Sequence, residues 1–283
     1  MTKLEPKPTN DLLFKMLFTK NPELLRRLIA QLLTIPYEHI TRFEIRNTEI
    51  TPDIIGKKFC RLDINMAVDG QNVNLEVQVD PENDYPERAL FYWARMYSNA
   101  LPVRGKYLNL PRTIIISILD FPLFKKCEEY HSEFRALEVT RNTPLTDKLV
   151  LHFFELPKIP GEIDSDDRLL QWLSLFNAKT EEDLERIVGL GVPELSEAVN
   201  AYHRVTTSPE YQELERIRIM AEHDEAQALY VAEQRGEKRG EKRGAAAERT
   251  KWQGVVADKD TEIEKQAMEI AKLKANIESL QKS

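Results

Sequence analysis

Cysteine is nearly absent from this chain: its 283 residues include only Cys60 and Cys127. Two isolated thiols give neither a disulfide framework nor a zinc site, and such sparse usage fits a reducing cytoplasm, the expected location. Long apolar runs are missing as well. No stretch approaches the roughly 18 uninterrupted apolar residues that a membrane-spanning helix needs, so no membrane partner is expected. The opening MTKLEPKPTNDLLFKMLF has no continuous apolar segment and no small-residue cleavage site, which argues against a secretory signal. No glycine-rich phosphate loop, no H-E-x-x-H, no Ser-His-Asp order and no cysteine nucleophile pattern occurs. The five histidines, His39, His131, His152, His203 and His223, show no ligand spacing, and His152 within LVLHFFEL reads as a packed strand residue.

An excess of positive charge is also lacking. The formal net charge is -7, which at first argues against a nucleic-acid partner. The distribution weakens that argument. Residues 1–155 hold 21 basic and 21 acidic side chains, while residues 156–283 hold 19 basic and 26 acidic and carry the whole surplus. The N-terminal half is neutral overall and free to present a basic face.

What is present is an alternation of helical and extended patterns. Thr9-Asn10-Asp11 offers a helix cap before DLLFKMLFTK, and PELLRRLIAQLL reads as a second helix or a continuation. RFEIRNTEI (42–50) is a strand candidate. CRLDINMAV (60–68) and VNLEVQVD (73–80) alternate apolar and polar residues, and they flank Asp69-Gly70, a strong hairpin signal. YPERALFYWARMYSNAL (85–101) reads as an amphipathic helix with Tyr92, Trp93 and Tyr97 toward the core. RTIIISILDF (112–121) has the near-continuous apolar character of a strand covered on both faces, and residues 133–139 and 148–156 read as further strands. After Pro160 come three helical segments, DSDDRLLQWLSLF, TEEDLERIVGL and PELSEAVNAYHRV.

The hairpin carries the chemistry. A two-residue loop at Asp69-Gly70 pairs Val68 with Gln71, so paired positions sum to 139 and both apolar stripes fall on one face. In that register Asp63 lies opposite Glu76 and Arg61 opposite Gln78. Two carboxylates facing each other repel, and a divalent cation between them reverses the sign of that interaction. Gln78, two residues beyond Glu76 on the same face, places an amide within reach. Hard oxygen donors of this kind suit Mg²⁺, Mn²⁺ or Ca²⁺ better than zinc. The competing reading of such a polar strand face is a solvated surface.

These residues resemble the recombination-promoting nuclease family, the transposase-like nucleases of the PD-(D/E)XK superfamily. NDLLFKMLF is similar to the family's opening D-x-x-F-K helix, with Asp11, Phe14 and Lys15. RLDINMAVDGQNVNLEVQ is similar to its metal-site hairpin, with Asp63, Glu76 and Gln78. ERALFYWARMYSNAL, RGKYLNLPRTIIISILDF and LTDKLVLHFFELPK extend the likeness to about Pro157, through Arg88, Tyr92, Gly105 and Tyr107. The resemblance implies an α/β fold, a restriction-endonuclease-like mixed sheet flanked by helices. It implies a metal-dependent DNA endonuclease in which Asp63, Glu76 and the Val77 carbonyl bind Mg²⁺. Asp11 then binds a second metal or orients a water, and Lys15 is the nearest matched cation. Gln78 replaces the superfamily's usual final Lys. Arg88, Arg95 and Lys106 are candidate phosphate contacts. A catalytically inactive scaffold of the same fold, and a nuclease acting on RNA, are the competing functions.

The chain then divides into a nuclease-like core at 1–160, a helical extension at 161–208, a charged connector at 209–250 and a coiled-coil segment at 251–283. The connector contains RGEKRGEKRG (235–244), whose glycines recur every fourth residue, which suits either a weak helix or a flexible linker. In the last segment Val256, Ile263, Ile270 and Ile277 occupy heptad position a, with Leu273 and Leu280 at d. Isoleucine at a with leucine at d favours a parallel two-stranded coil and hence a homodimer or higher oligomer.

Overall fold

Asn10 starts the first helix. Its side-chain oxygen accepts the Leu13 amide at 2.9 Å, capping α1 (Asp11–Lys20). In the computed structural model, which describes residues 2–46, 49–50, 60–61, 63–81 and 84–281, α2 (Pro22–Leu32) follows directly, with proline in its first turn. Next come strands β1 (Phe43–Arg46), β2 (Glu49–Ile50), β3 (Cys60–Arg61), β4 (Ile64–Val68) and β5 (Gln71–Gln78). Helix α3 (Tyr85–Asn99) leads to β6 (Thr113–Leu119), β7 (His131–Arg135) and β8 (Leu149–Glu155). Helices α4 (Arg168–Asn177), α5 (Glu181–Gly189), α6 (Pro193–Thr206) and α7 (Pro209–Gln281) complete the chain. Side chains at 49–50, 60–61, 222, 225 and 275–281 are outside the description.

Six strands form one mixed sheet in the order β1-β4-β5-β6-β8-β7; β2 and β3 make a separate two-stranded ribbon. The β5–β6 and β6–β8 pairings are parallel and the others antiparallel. The sheet is covered on both faces, so β6 is buried along its whole length and is apolar but for Thr113 and Ser117. On one face Val73, Leu75, Ile116 and Phe154 join a core with α1, α2 and α4–α6, where Phe14, Phe18 and Phe176 meet ring to ring. On the other face Ile115, Leu119 and Phe153 pack against Tyr85, Ala89 and Met96 of α3. Tyr92 and Trp93 are half-buried there, and Trp93 donates to the Thr113 carbonyl at 3.0 Å.

The hairpin register is as expected. Val68 pairs with Gln71 and Ile64 with Leu75. Asp69 and Gly70 both take positive φ, 47° and 80°, as a two-residue hairpin turn with right-handed strand twist demands. Asp69 further accepts from the Thr41 and Arg42 amides and the Thr41 hydroxyl, tying the turn to the start of β1.

Three expectations need correction. Residues 60–68 are not one strand: Cys60–Arg61 pairs with β2, Asp63 is a bend and the ladder with β5 begins at Ile64, while Leu62 lies outside the described residues. Asp63 is therefore not a ladder partner of Glu76; its carboxylate oxygen instead accepts the Val77 amide at 2.9 Å. The strand expected at 133–139 is His131–Arg135, an edge strand whose last three residues are exposed. The polar face of β5 is not solvated: Asn72, Asn74 and Glu76 are all buried, Asn72 against Arg46 of β1 and Glu76 against Tyr85 of α3.

Residues 1–215 and 216–283 form two compact units. Within the second, α7 runs unbroken through Gly236, Gly240 and Gly244, so the charged repeat is helical. Trp252, Val256, Ile263, Ile270 and Leu273 are all at least half exposed. Ile277 and Leu280 lie in the helix but outside the residues whose side chains are described. No helix among the described residues is long and apolar enough to cross a membrane.

Candidate metal centre

Glu76 sits near the C-terminal end of β5 with its carboxylate beneath α3, only 4 % exposed. Extended backbone places Asn74 on the same face two residues earlier, and the Asn74 amide donates to Glu76 Oε1 at 2.8 Å. Tyr85, in the first turn of α3, is wholly buried, wedged edge-on against Phe121 and Phe153, with its hydroxyl 3.5 Å from Glu76 Oε2. Neither contact neutralises the charge. Burial, followed by repulsion from Asp63, pushes the Glu76 carboxyl up to about 8, against the smaller stabilising effects of Asn74, Arg88 and Tyr85.

Asp63 is the second carboxylate. Burial pushes it up to about 6, and its bond from the Val77 amide only partly opposes that rise. Asp11 adds repulsion, while Lys15 and Arg88 attract. The fold thus brings Asp11 and Lys15, from the first turns of α1, into electrostatic range of the hairpin carboxylates.

Glu155 shows what a structural carboxylate looks like in the same sheet. It is 1 % exposed, yet its oxygens accept the Leu123 and Phe124 amides at 2.5 and 3.0 Å and the Lys158 ammonium at 2.8 Å. Among the described residues Glu76 has no such ammonium or pair of main-chain amides. Moreover, Asn74 Oδ1 is buried with no hydrogen-bond partner among the described residues. A half-buried and a buried carboxylate, both held toward the neutral form, beside an unsatisfied amide oxygen, form a donor set of hard oxygens. That is the environment a divalent cation completes. Among the described residues no three His, Cys, Asp or Glu side chains converge, so a cation here would draw on main-chain oxygen, amide oxygen and water besides the two carboxylates.

Gln78 takes a different position from the one its spacing suggests. Its amide oxygen accepts Arg88 Nη2 at 2.6 Å and its nitrogen donates to the Asp80 carbonyl at 3.1 Å. Arg88 lies 4.7 Å over the Tyr85 ring, which fixes the guanidinium near both carboxylates. Arg95 is two turns along α3, about 10 Å by helical rise, and Lys106 is exposed in the loop after that helix. Neither is brought to the carboxylate pair as Arg88 is.

Asn74 and Tyr85 were not singled out from the sequence. Asn74 was detectable from the period of two that links it to Glu76. Tyr85 had no local signal, since its role depends on how α3 packs across the sheet.

Comparison with known proteins gives one family. The model of the PD-(D/E)XK nuclease family transposase matches residues 8–232, which takes in α1, the hairpin, α3 and all of the strands. No curated protein and no solved structure matches the chain.

Proposed function

Since the chain belongs to the PD-(D/E)XK nuclease family transposases, we propose that it is a divalent-metal-dependent endonuclease that hydrolyses phosphodiester bonds of DNA. The observation that carries this reading is the Asp63–Glu76 pair, half-buried and buried, in which burial and neighbouring negative charge hold both carboxyls toward the neutral form, in contrast with Glu155, which has an ammonium and two amide partners.

Asp63 and Glu76 would hold the ion, Mg²⁺ or another cation that prefers hard oxygen donors, such as Mn²⁺ or Ca²⁺. The Val77 carbonyl is a third donor: the N–H and C=O of a strand residue project to the same edge, and the Val77 N–H already meets Asp63 there. A bound divalent ion supplies Lewis acidity toward a phosphoryl oxygen and lowers the pKa of a coordinated water. The chain's own side chains do the rest. Lys15 and Arg88 bring positive charge to the site and stabilise negative charge developing on the phosphate oxygens. Gln78 stands where the superfamily has Lys and serves as the anchor that aims Arg88. Asp11 orients a water or serves a second ion. Arg95 and Lys106 contact phosphates farther along the duplex.

The heptad stripe of α7 is the proposed oligomerisation surface. Its exposed Val256, Ile263, Ile270 and Leu273 call for a partner helix, continued by Ile277 and Leu280. A parallel coil would bring two catalytic units to one duplex.

The test is cleavage of supercoiled plasmid and of a structured RNA with Mg²⁺, Mn²⁺ or Ca²⁺ and with EDTA. Metal-dependent nicking of DNA alone supports the proposal. Cleavage of RNA alone assigns the same centre to RNA, and cleavage of neither leaves a non-catalytic scaffold. Light scattering of the chain without residues 251–283 tests the coil, which is wrong if the oligomer's size is unchanged apart from the deleted mass.

A further inference from the structure

The opposite end of the sheet holds a second polar cluster. Pairing of β7 with β8 places His131 and His152 on the α2 side of the sheet, with His131 Nε2 3.0 Å from His152 Nδ1 and the rings stacked at 5.3 Å. His152 is buried; His131 is half-buried and stacks on Phe154 at 4.3 Å. They line a cavity of about 280 Å³ with Arg112, Arg135, Glu133 and Gln71, closed by the apolar end of α2. Gln71 and Glu76 are five residues apart on β5, about 17 Å by strand rise. Glu76 faces α3 and His152 faces α2, so the two sites are separate.

The charge balance points to the ligand class. Two guanidiniums meet one carboxylate, and Glu133 is already engaged by Arg135. The Nε of Arg112 is buried and has no partner among the described residues, an unmade hydrogen bond on a cationic donor. Among the described residues the histidines join no third ligand in a group that could hold a metal, and the guanidiniums repel a cation. A planar guanidinium fork beside amide and imidazole donors is matched by an oxyanion. The cavity has room for one such group with several waters. We propose that this cavity binds a tetrahedral oxyanion of the phosphate class, gripped by Arg112 and Arg135 and contacted by the His131–His152 pair.

The imidazoles give the site a pH signature. Burial, then His131 and the guanidiniums, press the His152 imidazole down to about 4, against the pull of Glu133. Burial lowers His131 as well, and Glu133 opposes it. A bound oxyanion cancels the guanidinium repulsion and favours imidazolium, so binding takes up a proton and tightens as pH falls. Arg112, Arg135, Glu133 and the two histidines are the charged and titratable groups of that cavity wall; the end of α2 and the turn after it contribute Leu32, Leu33, Thr34 and Ile35, none of which titrates.

The experiment is calorimetric titration of the full chain with inorganic phosphate, and separately with sulfate, in EDTA, at pH 5.5 and 7.5, at constant ionic strength. We expect saturable binding of phosphate; sulfate, which does not titrate between these pH values, should bind tighter at the lower pH, with proton uptake seen as a dependence of the heat on buffer ionisation. Arg112→Gln should weaken it at least about tenfold, the loss of one charge-assisted bond. Asp63→Asn should bind as wild type, which separates this site from the carboxylate centre. Should Arg112→Gln fail to fold, Arg135→Gln and the imidazole resonances of His131 and His152 in the wild type take its place. Displacement of phosphate by a 5′-phosphorylated oligonucleotide but not by its unphosphorylated form supports the site with a strand end as source. Displacement by a mononucleotide alone supports it with free nucleotide as source. No saturable heat, an equal response to chloride, or wild-type affinity in the folded arginine variants overturns the proposal.

Discussion

Glu76→Gln should make the metal-free protein more stable at neutral pH. The carboxyl titrates at 4.5 in an unfolded chain and at about 8 in the fold, because burial and then Asp63 disfavour its charge. A raised carboxyl holds its proton in the folded state after the unfolded state has released it. Its contribution is neutral below pH 4.5, becomes a growing penalty between pH 4.5 and 8, and is constant above. At pH 7 the gap of about 2.5 units amounts to about 3 kcal/mol at 1.36 kcal/mol per unit. Glutamine has nearly the same shape, keeps an oxygen for Asn74 to donate to, and has no charge to bury. Urea unfolding followed by tryptophan fluorescence, with EDTA present, gives the measurement. Wild type and variant should coincide near pH 4.5 and diverge by about 3 kcal/mol at pH 7, a shift of several degrees in Tm for a unit of this size. Mg²⁺ should then stabilise the wild type and leave the variant unmoved, since ligand binding to the native state adds about 2.7 kcal/mol at a hundred times Kd. A variant less stable than wild type at pH 7 in EDTA would refute the reasoning, because it would mean that Glu76 is a satisfied structural carboxylate like Glu155.

Three further outcomes follow from the packing. Phe14→Ala should cost about 3–5 kcal/mol, as the loss of a fully buried ring that meets Phe18 and Phe176; chemical denaturation checks it. Gly240→Ala should raise the helicity and thermal stability of α7 by about 1 kcal/mol, since nothing lies within 4 Å of an added Cβ, and circular dichroism at 222 nm reads it. Arg88→Gln should displace the acidic limb of the pH–rate profile to higher pH, because a cation that lowers the pKa of both Asp63 and Glu76 is gone.

The parts of the fold legible in the sequence are those governed by local chemistry. Asn10 caps α1, Asp69-Gly70 turns the hairpin, and the register at Ile64–Leu75 follows from two apolar stripes that must share a face. What alternation cannot say is whether the other face meets water. Asn74 and Glu76 alternate as a solvated edge would, and it takes tertiary packing, with Tyr85 of α3 against Glu76, to bury them. The break at Asp63 was equally hidden, since the apolar-polar rhythm runs straight through it while the backbone bends and a side chain takes the place of a ladder acceptor. His131 and His152 lie 21 residues apart with no spacing motif between them; the β7–β8 pairing alone joins them. The glycine repeat suited both helix and linker, and the uninterrupted α7 shows that its flanking Ala, Glu, Lys and Arg prevail.

The most direct measurement of the central claim is the rate at which supercoiled plasmid is nicked in Mg²⁺ by the wild type and by Asp63→Ala, each shown to be folded by circular dichroism. The carboxylate-centred account predicts nicking by the wild type that EDTA abolishes, and a loss of at least about a hundredfold in the variant, in keeping with the several kcal/mol that metal-assisted charge stabilisation supplies. Equal rates for the two proteins would contradict it.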